Sequence, residues 1–124
     1  MIQKETKLII LDNSGGRILK CISLKNSYKT VGSAFYIKGA IQRLRQKRRS
    51  KSRVKLGKLY TSLIIQVNRD LIRKSGKHIR FCKNFCIIIG KNNEPLATRI
   101  FSGVPKEART KRKSKLFLMA SFIY

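Results

Sequence analysis

Apolar residues in this chain fall into short runs with a two-residue period, divided by clusters of Gly, Asn, Asp, Ser and Lys. That is the pattern of a β-protein with tight turns. Residues 7–11 form the first apolar run, and Asp12-Asn13-Ser14-Gly15-Gly16 closes it. Asx side chains bond their own backbone in such turns and glycine accepts positive φ, so Asp12 and Asn13 read as turn formers. Residues 17–24 half-alternate, and the two segments together predict a hairpin with a five-residue loop. Residues 25–29 are polar and loop-like. Residues 31–41, with Phe35, Tyr36, Ile37 and Ile41, predict a third strand. Residues 59–67 predict the clearest buried strand. A turn at Lys74-Ser75-Gly76-Lys77 separates 68–73 from 78–82 and predicts a second hairpin. Residues 85–89 predict another buried strand, closed by Gly90 and a polar turn over 91–95.

The last third changes character. Residues 97–101 are short and apolar, and Pro105 suits the first turn of a helix. Residues 106–115 have helix-friendly composition with dense positive charge, and 116–119 and 122–124 are apolar. The pattern as a whole predicts a mainly β fold, a small barrel followed by one or two short helices and a closing segment. No repeat is visible and no linker is long enough to divide the chain, so residues 1–124 read as one domain, with a basic loop at 43–53 and a helical segment at 105–119.

Charge changes the picture from a fold to a function class. Lys and Arg number 30 and Asp and Glu only 5, giving a formal net charge of +25. A compact domain with that charge repels itself and calls for a polyanionic partner, of which nucleic acid is the commonest. The 42% hydrophobic content argues against a disordered polycation. Seven of the eleven residues in 43–53 are basic and none is acidic, so this loop reads as an arm against phosphates. A second basic cluster covers 109–115. Two separate clusters favour a partner that wraps around the domain, such as folded RNA, over one flat anionic surface. No membrane partner is expected: no run is long enough to span a bilayer. A basic amphipathic helix with an apolar face has only the short stretch before Leu116 as a candidate. The opening residues carry neither signal-peptide nor transit-peptide character.

Catalytic chemistry finds little support. His78 is the single histidine, no two carboxylates are placed for acid–base work, and neither phosphate-loop spacing is present. No cofactor motif is legible. The three cysteines cannot all pair within the chain, which points to a reducing compartment. Cys82 and Cys86 would share a face within one strand, but a zinc site usually shows two tight pairs of ligands and only one loose pair exists. The cysteines therefore read as small core residues.

At this point the sequence resembles a known family. Leu11-Asp12-Asn13-Ser14-Gly15-Gly16 with Cys21-Ile22 resembles the signature hairpin of the universal large-subunit ribosomal protein family fourteen. His78-Ile79-Arg80-Phe81, Asn84 and residues 85–89 are similar to its central section. Glu94-Pro95 and Thr98-Arg99-Ile100-Phe101 are similar to its late motif, with Val104, Lys106, Glu107 and Arg109 where its short helix falls. The opening Met1-Ile2-Gln3 agrees as well.

The resemblance implies a five-stranded β-barrel with an extra hairpin and short C-terminal helices. It also implies a structural, non-enzymatic protein of the large ribosomal subunit that binds large-subunit rRNA and helps bridge to small-subunit rRNA. Implied neighbours are the ribosomal proteins of families three and nineteen and a ribosome silencing factor, for which Thr98, Arg99 and Lys115 fall at the docking positions. The expected rRNA contacts are Asn13 and Ser14 in the signature hairpin, then Arg17, Lys20, Lys38, Arg43, Arg45, Lys47, Arg48, Arg49, Lys51, Arg53, Lys55 and Lys58. Arg69, Arg80, Arg99, Arg109, Lys111, Arg112 and Lys113 follow. The sequence departs from the family at Gly32-Ser33, Ser75-Gly76-Lys77, Phe81-Cys82, Cys86, Leu96-Ala97, Ser102-Gly103 and the apolar ending 120–124. Such divergence, with abundant Lys, Ile, Asn and Phe, suggests an AT-rich genome and a mitochondrial ribosome, with a plastid or bacterial one as the alternative. The competing function is a free basic β-barrel that binds single-stranded nucleic acid, which would need aromatic side chains on one exposed face.

Overall fold

The computed structural model describes residues 1–24, 32–46, 51–90, 92–108 and 114–124. Seven strands are present among them: β1 Lys7–Ile10, β2 Gly16–Leu24, β3 Tyr36–Leu44, β4 Leu59–Gln66, β5 Asp70–Ile72, β6 His78–Arg80 and β7 Phe85–Ile89. A 3-10 helix at Lys106–Ala108 and one short helix, α1, at Ser114–Met119 follow. Strands β1, β2, β3, β4 and β7 close into a barrel, and β5–β6 form a separate hairpin. Closure is made by β1, which runs antiparallel to β2 and parallel to β7. A mainly β fold of five barrel strands with an extra hairpin is therefore what the chain adopts.

Period-two burial explains the barrel. Leu8 and Ile10, Leu19 and Cys21, Ile37 and Ile41, Ile64, and Cys86 and Ile88 point inward and form one buried cluster, plugged at the ends by Ile2, Val54 and Val67. Gly39 takes an inward position with no side chain because there is no room for one: a β-carbon there would sit 2.6 Å from the Lys20 carbonyl oxygen. The opposite faces of β4 and β7 are equally apolar. Leu63, Ile65, Ile87 and Ile89 make a second cluster outside the barrel with Leu11, Ile100, Val104, Ala108 and Leu116. The C-terminal third is thus an outer layer on the β4–β7 wall. Buried Gln66 fastens it, donating to the Gly103 carbonyl oxygen at 2.6 Å. Parallel bridges pair Ile100 with Ala120 and Val104 with Ile123.

Several boundaries differ from the pattern read in the sequence. The third strand begins at Tyr36, because Ser33 and Ala34 form a turn with Ala34 at φ 66°. It runs on through Leu44, so the basic segment 43–53 starts inside the sheet. Residue 31 lies outside the described residues. In the 106–115 stretch a 3-10 turn follows Pro105, residues 109–113 lie outside the described residues, and α1 covers Ser114–Met119, with Leu116 buried. Cys82 lies before β7 and is exposed, whereas Cys86 and Cys21 are buried. The pair 82 and 86 therefore shares no strand face, and only two of the three cysteines are core residues.

Candidate nucleic-acid interface

The turn after β1 is organised by one carboxylate. Asp12 is wholly buried and accepts from the Ser14 amide at 2.9 Å, from the Ser14 hydroxyl and from the Ile88 amide at 2.8 Å. Burial pushes its carboxyl up; the hydrogen bonds from Ile88 and Ser14 and the charge of Arg45 pull it back. Ser14 is itself fully buried, with side chain and amide both engaged by Asp12. Ser14, expected at the rRNA, is placed by these bonds inside the turn, with its side chain turned to Asp12. Asn13 is half-buried and exchanges two hydrogen bonds with Thr98, donating to its hydroxyl at 2.8 Å and accepting its amide at 3.0 Å. This pairing joins the turn to the late motif.

The same turn seats the basic loop. The Arg45 amide donates to the Gly15 carbonyl oxygen at 2.9 Å and the Arg53 amide to that of Ser14 at 2.8 Å. Gly15 must be glycine here: its φ is +102°, and Ser52 packs directly where a β-carbon would stand. Two arginines expected on phosphates also hold the protein's own backbone. Arg45 is half-buried, donates to the Ile10 carbonyl oxygen at 3.0 Å and lies 4.9 Å over the Phe101 ring. Arg53 donates to the Leu96 carbonyl oxygen at 2.6 Å but stays exposed.

The other described cations expected at the interface fall into four groups. On the β2–β3 wall stand Arg17, Lys38 and Arg43, all exposed, and Lys20, half-buried and paired with Glu5. Lys51, Lys55 and Lys58 are exposed along the segment returning to β4. Arg69 and Arg80 are exposed beside the β5–β6 hairpin, with Arg80 3.7 Å from Asp70. Arg99 is exposed beside Thr98, and Lys115 pairs with Glu94 at 2.9 Å. Lys47, Arg48, Arg49, Arg109, Lys111, Arg112 and Lys113 lie outside the described residues.

All five carboxylates are already committed. Asp12 is buried, and Glu5, Asp70, Glu94 and Glu107 pair with Lys20, Arg80, Lys115 and Arg73. The wall that β4 and β7 present is covered by the C-terminal layer, whereas the β2–β3 wall exposes Arg17, Lys38 and Arg43. Apart from the Lys20–Glu5 pair, no carboxylate among the described residues pairs with this wall, so its charge favours an external polyanion. The model of the family described as ribosomal protein L14p/L23e matches residues 1–124. The chain belongs to this family. An L14p/L23e protein is a structural component of the large ribosomal subunit that binds rRNA, and the folded barrel with its exposed cations is consistent with that role.

Two features of this L14p/L23e interface escaped sequence reading. Gln42, Gln46 and Leu56 border a groove beside Arg17 and Arg43. The visible mark of that groove was the adjacent polar pair Gln42-Arg43, which breaks the alternation of β3. Arg73 reaches Glu107 at 2.7 Å and the Tyr124 carbonyl oxygen at 2.8 Å. No sequence signal pointed to this contact, because its partners lie 34 and 51 residues away.

Proposed function

We propose that this chain anchors on large-subunit rRNA through its β2–β3 wall and basic loop, and carries part of a bridge to small-subunit rRNA. The observation that carries the reading is the exposed cations Arg17, Lys38 and Arg43 on one wall of a molecule whose carboxylates are all engaged. Phosphate contacts from Arg17, Lys20, Lys38, Arg43, Lys51, Lys55 and Lys58 set position, and the shape of the folded RNA supplies selectivity. Arg45 and Arg53 contribute guanidinium edges while holding the loop stem. Arg69, Arg80 and Arg99 extend the cationic surface beyond the wall. Leu118, Phe122 and Ile123 are exposed apolar side chains on the C-terminal layer. They suit protein neighbours, for which the families three and nineteen are the proposed partners. A silencing factor docking at Thr98, Arg99 and Lys115 would meet Arg99 free in solvent, and would compete with Asn13 and Glu94 for the other two.

A composition rich in Lys, Ile, Asn and Phe supports an organellar ribosome, with the mitochondrion as the proposed site. The test is gradient sedimentation of lysates from purified mitochondria, with mass spectrometry across the fractions. The chain is expected at one copy per large subunit after a high-salt wash. Recovery in light fractions would overturn the constitutive role and favour a free RNA-binding module. Recovery with plastid or cytosolic large subunits would overturn only the location.

A further inference from the structure

Strands β2 and β3 do not pair evenly. Gly16 pairs with Leu44 and Ile18 with Arg43, which leaves Arg17 as an extra residue on β2. Ile18 pairs with Arg43 and Leu19 with Ile41, which leaves Gln42 as an extra residue on β3. The two bulges face each other and cancel, because Lys20–Ala40 and Cys21–Gly39 resume the register that Gly16–Leu44 had set. Bulges bend a sheet and re-aim side chains, and they recur beside functional sites. Both bulged side chains here border one groove of about 460 Å³, with Arg43, Leu44, Gln46 and Leu56 completing it.

We propose that this groove holds a single unstacked nucleotide of the large-subunit rRNA. The inference rests on the rRNA-binding reading above and names the ligand of one part of that surface. Its volume is in the range of small-ligand pockets, and it lies on the β2–β3 wall, whereas the described C-terminal layer packs on β4 and β7. Arg17 and Arg43 supply two guanidiniums suited to phosphate oxygens. The groove contains no carboxylate, and the five in the chain are committed elsewhere. Gln42 and Gln46 each offer a donor and an acceptor, the pattern that reads a base edge. Leu56, 61% exposed, gives an apolar plate for a base face. A duplex uses its Watson–Crick edges in pairing, whereas an unpaired nucleotide presents that edge to the glutamine amides.

The test uses the full chain and deproteinised large-subunit rRNA from the same source. With p-benzoylphenylalanine at position 56, light is expected to cross-link the chain to one unpaired nucleotide. The base of that nucleotide should be protected from dimethyl sulfate or carbodiimide. The double variant Gln42→Leu, Gln46→Leu is expected to lose this protection and about tenfold in affinity. Both glutamines are exposed, so circular-dichroism melting should match the parent chain. If the parent binds this rRNA tightly but cross-links scatter over paired nucleotides and the double variant binds equally well, the groove proposal falls and the rRNA reading stands. If the parent prefers this rRNA no more than unrelated RNA of equal length, both fall. If free nucleoside monophosphates bind as tightly as the rRNA, an RNA-borne occupant is ruled out.

Discussion

Asp12 joins the first turn to a strand 76 residues later through one carboxylate. Replacing it with Ala leaves the Ser14 and Ile88 amides without their partner, and we expect a loss of about 3 kcal/mol in denaturant unfolding. Its pH signature has a definite sign. Burial raises the native carboxyl above its ordinary 3.8. The native chain therefore keeps this proton where the unfolded chain has released it. That contribution is complete below the unfolded value and is lost as pH rises through the native one. Glu107 runs oppositely: the hydrogen bond from Arg73 lowers it below 4.5, so its contribution is present above that value and is lost as pH falls through the native one. Unfolding between about pH 3 and 6 should lose the first trend and keep the second in Asp12→Asn. Ser62 is a contrasting case. Its hydroxyl is buried and, among the described residues, has no hydrogen-bond partner. Ser62→Ala should therefore change stability by less than about 1 kcal/mol or raise it. Turn chemistry made Asp12 legible as a turn former. The reach to Ile88 was not legible, because no local pattern encodes a partner on β7.

At the scale of elements, strand cores were readable and irregularities were not. Partial alternation located β2, and unbroken apolar runs located β4 and β7, which bury both faces between the barrel interior and the C-terminal layer. It overextended the start of β3, where a turn at positive φ intervenes. The paired bulges carry a prediction of their own. Deleting Arg17 alone shifts the register of β2 against β3 by one residue and turns an inward set outward. Deleting Arg17 and Gln42 together removes both facing bulges and keeps the register on either side, so the double deletion should melt higher than either single one. Gly39→Ala should cost about 2–3 kcal/mol in chemical denaturation, because the new carbon meets the Lys20 carbonyl oxygen as well as the Leu19 side chain, and the backbone atom cannot move aside as a side chain can. The β5–β6 hairpin is held to the last residues by Arg73 and by the Phe81–Tyr124 ring contact. Arg73→Ala should accelerate amide exchange at Lys106 and Tyr124 while leaving the barrel amides protected.

For the whole molecule, charge was the most legible property and its distribution the least. Composition gave +25, but not that the C-terminal layer packs on the β4–β7 wall while Arg17, Lys38 and Arg43 stand exposed on the β2–β3 wall. Long-range contacts decide which wall is covered. Self-repulsion should make the free chain's melting temperature rise with added salt. Its affinity for rRNA should fall with salt, with a log–log slope of about −7 to −9 if ~10 phosphates are neutralised. Barrel closure also has a consequence in time. The seam joins β1 to β7, so the first strand made waits for the last barrel strand. A nascent chain halted before residue 85 holds a four-stranded sheet open along β1 and β4. Such edges template pairing between chains. Synthesis must therefore run past the seventh strand before this protein can stop being a hazard to its own copies.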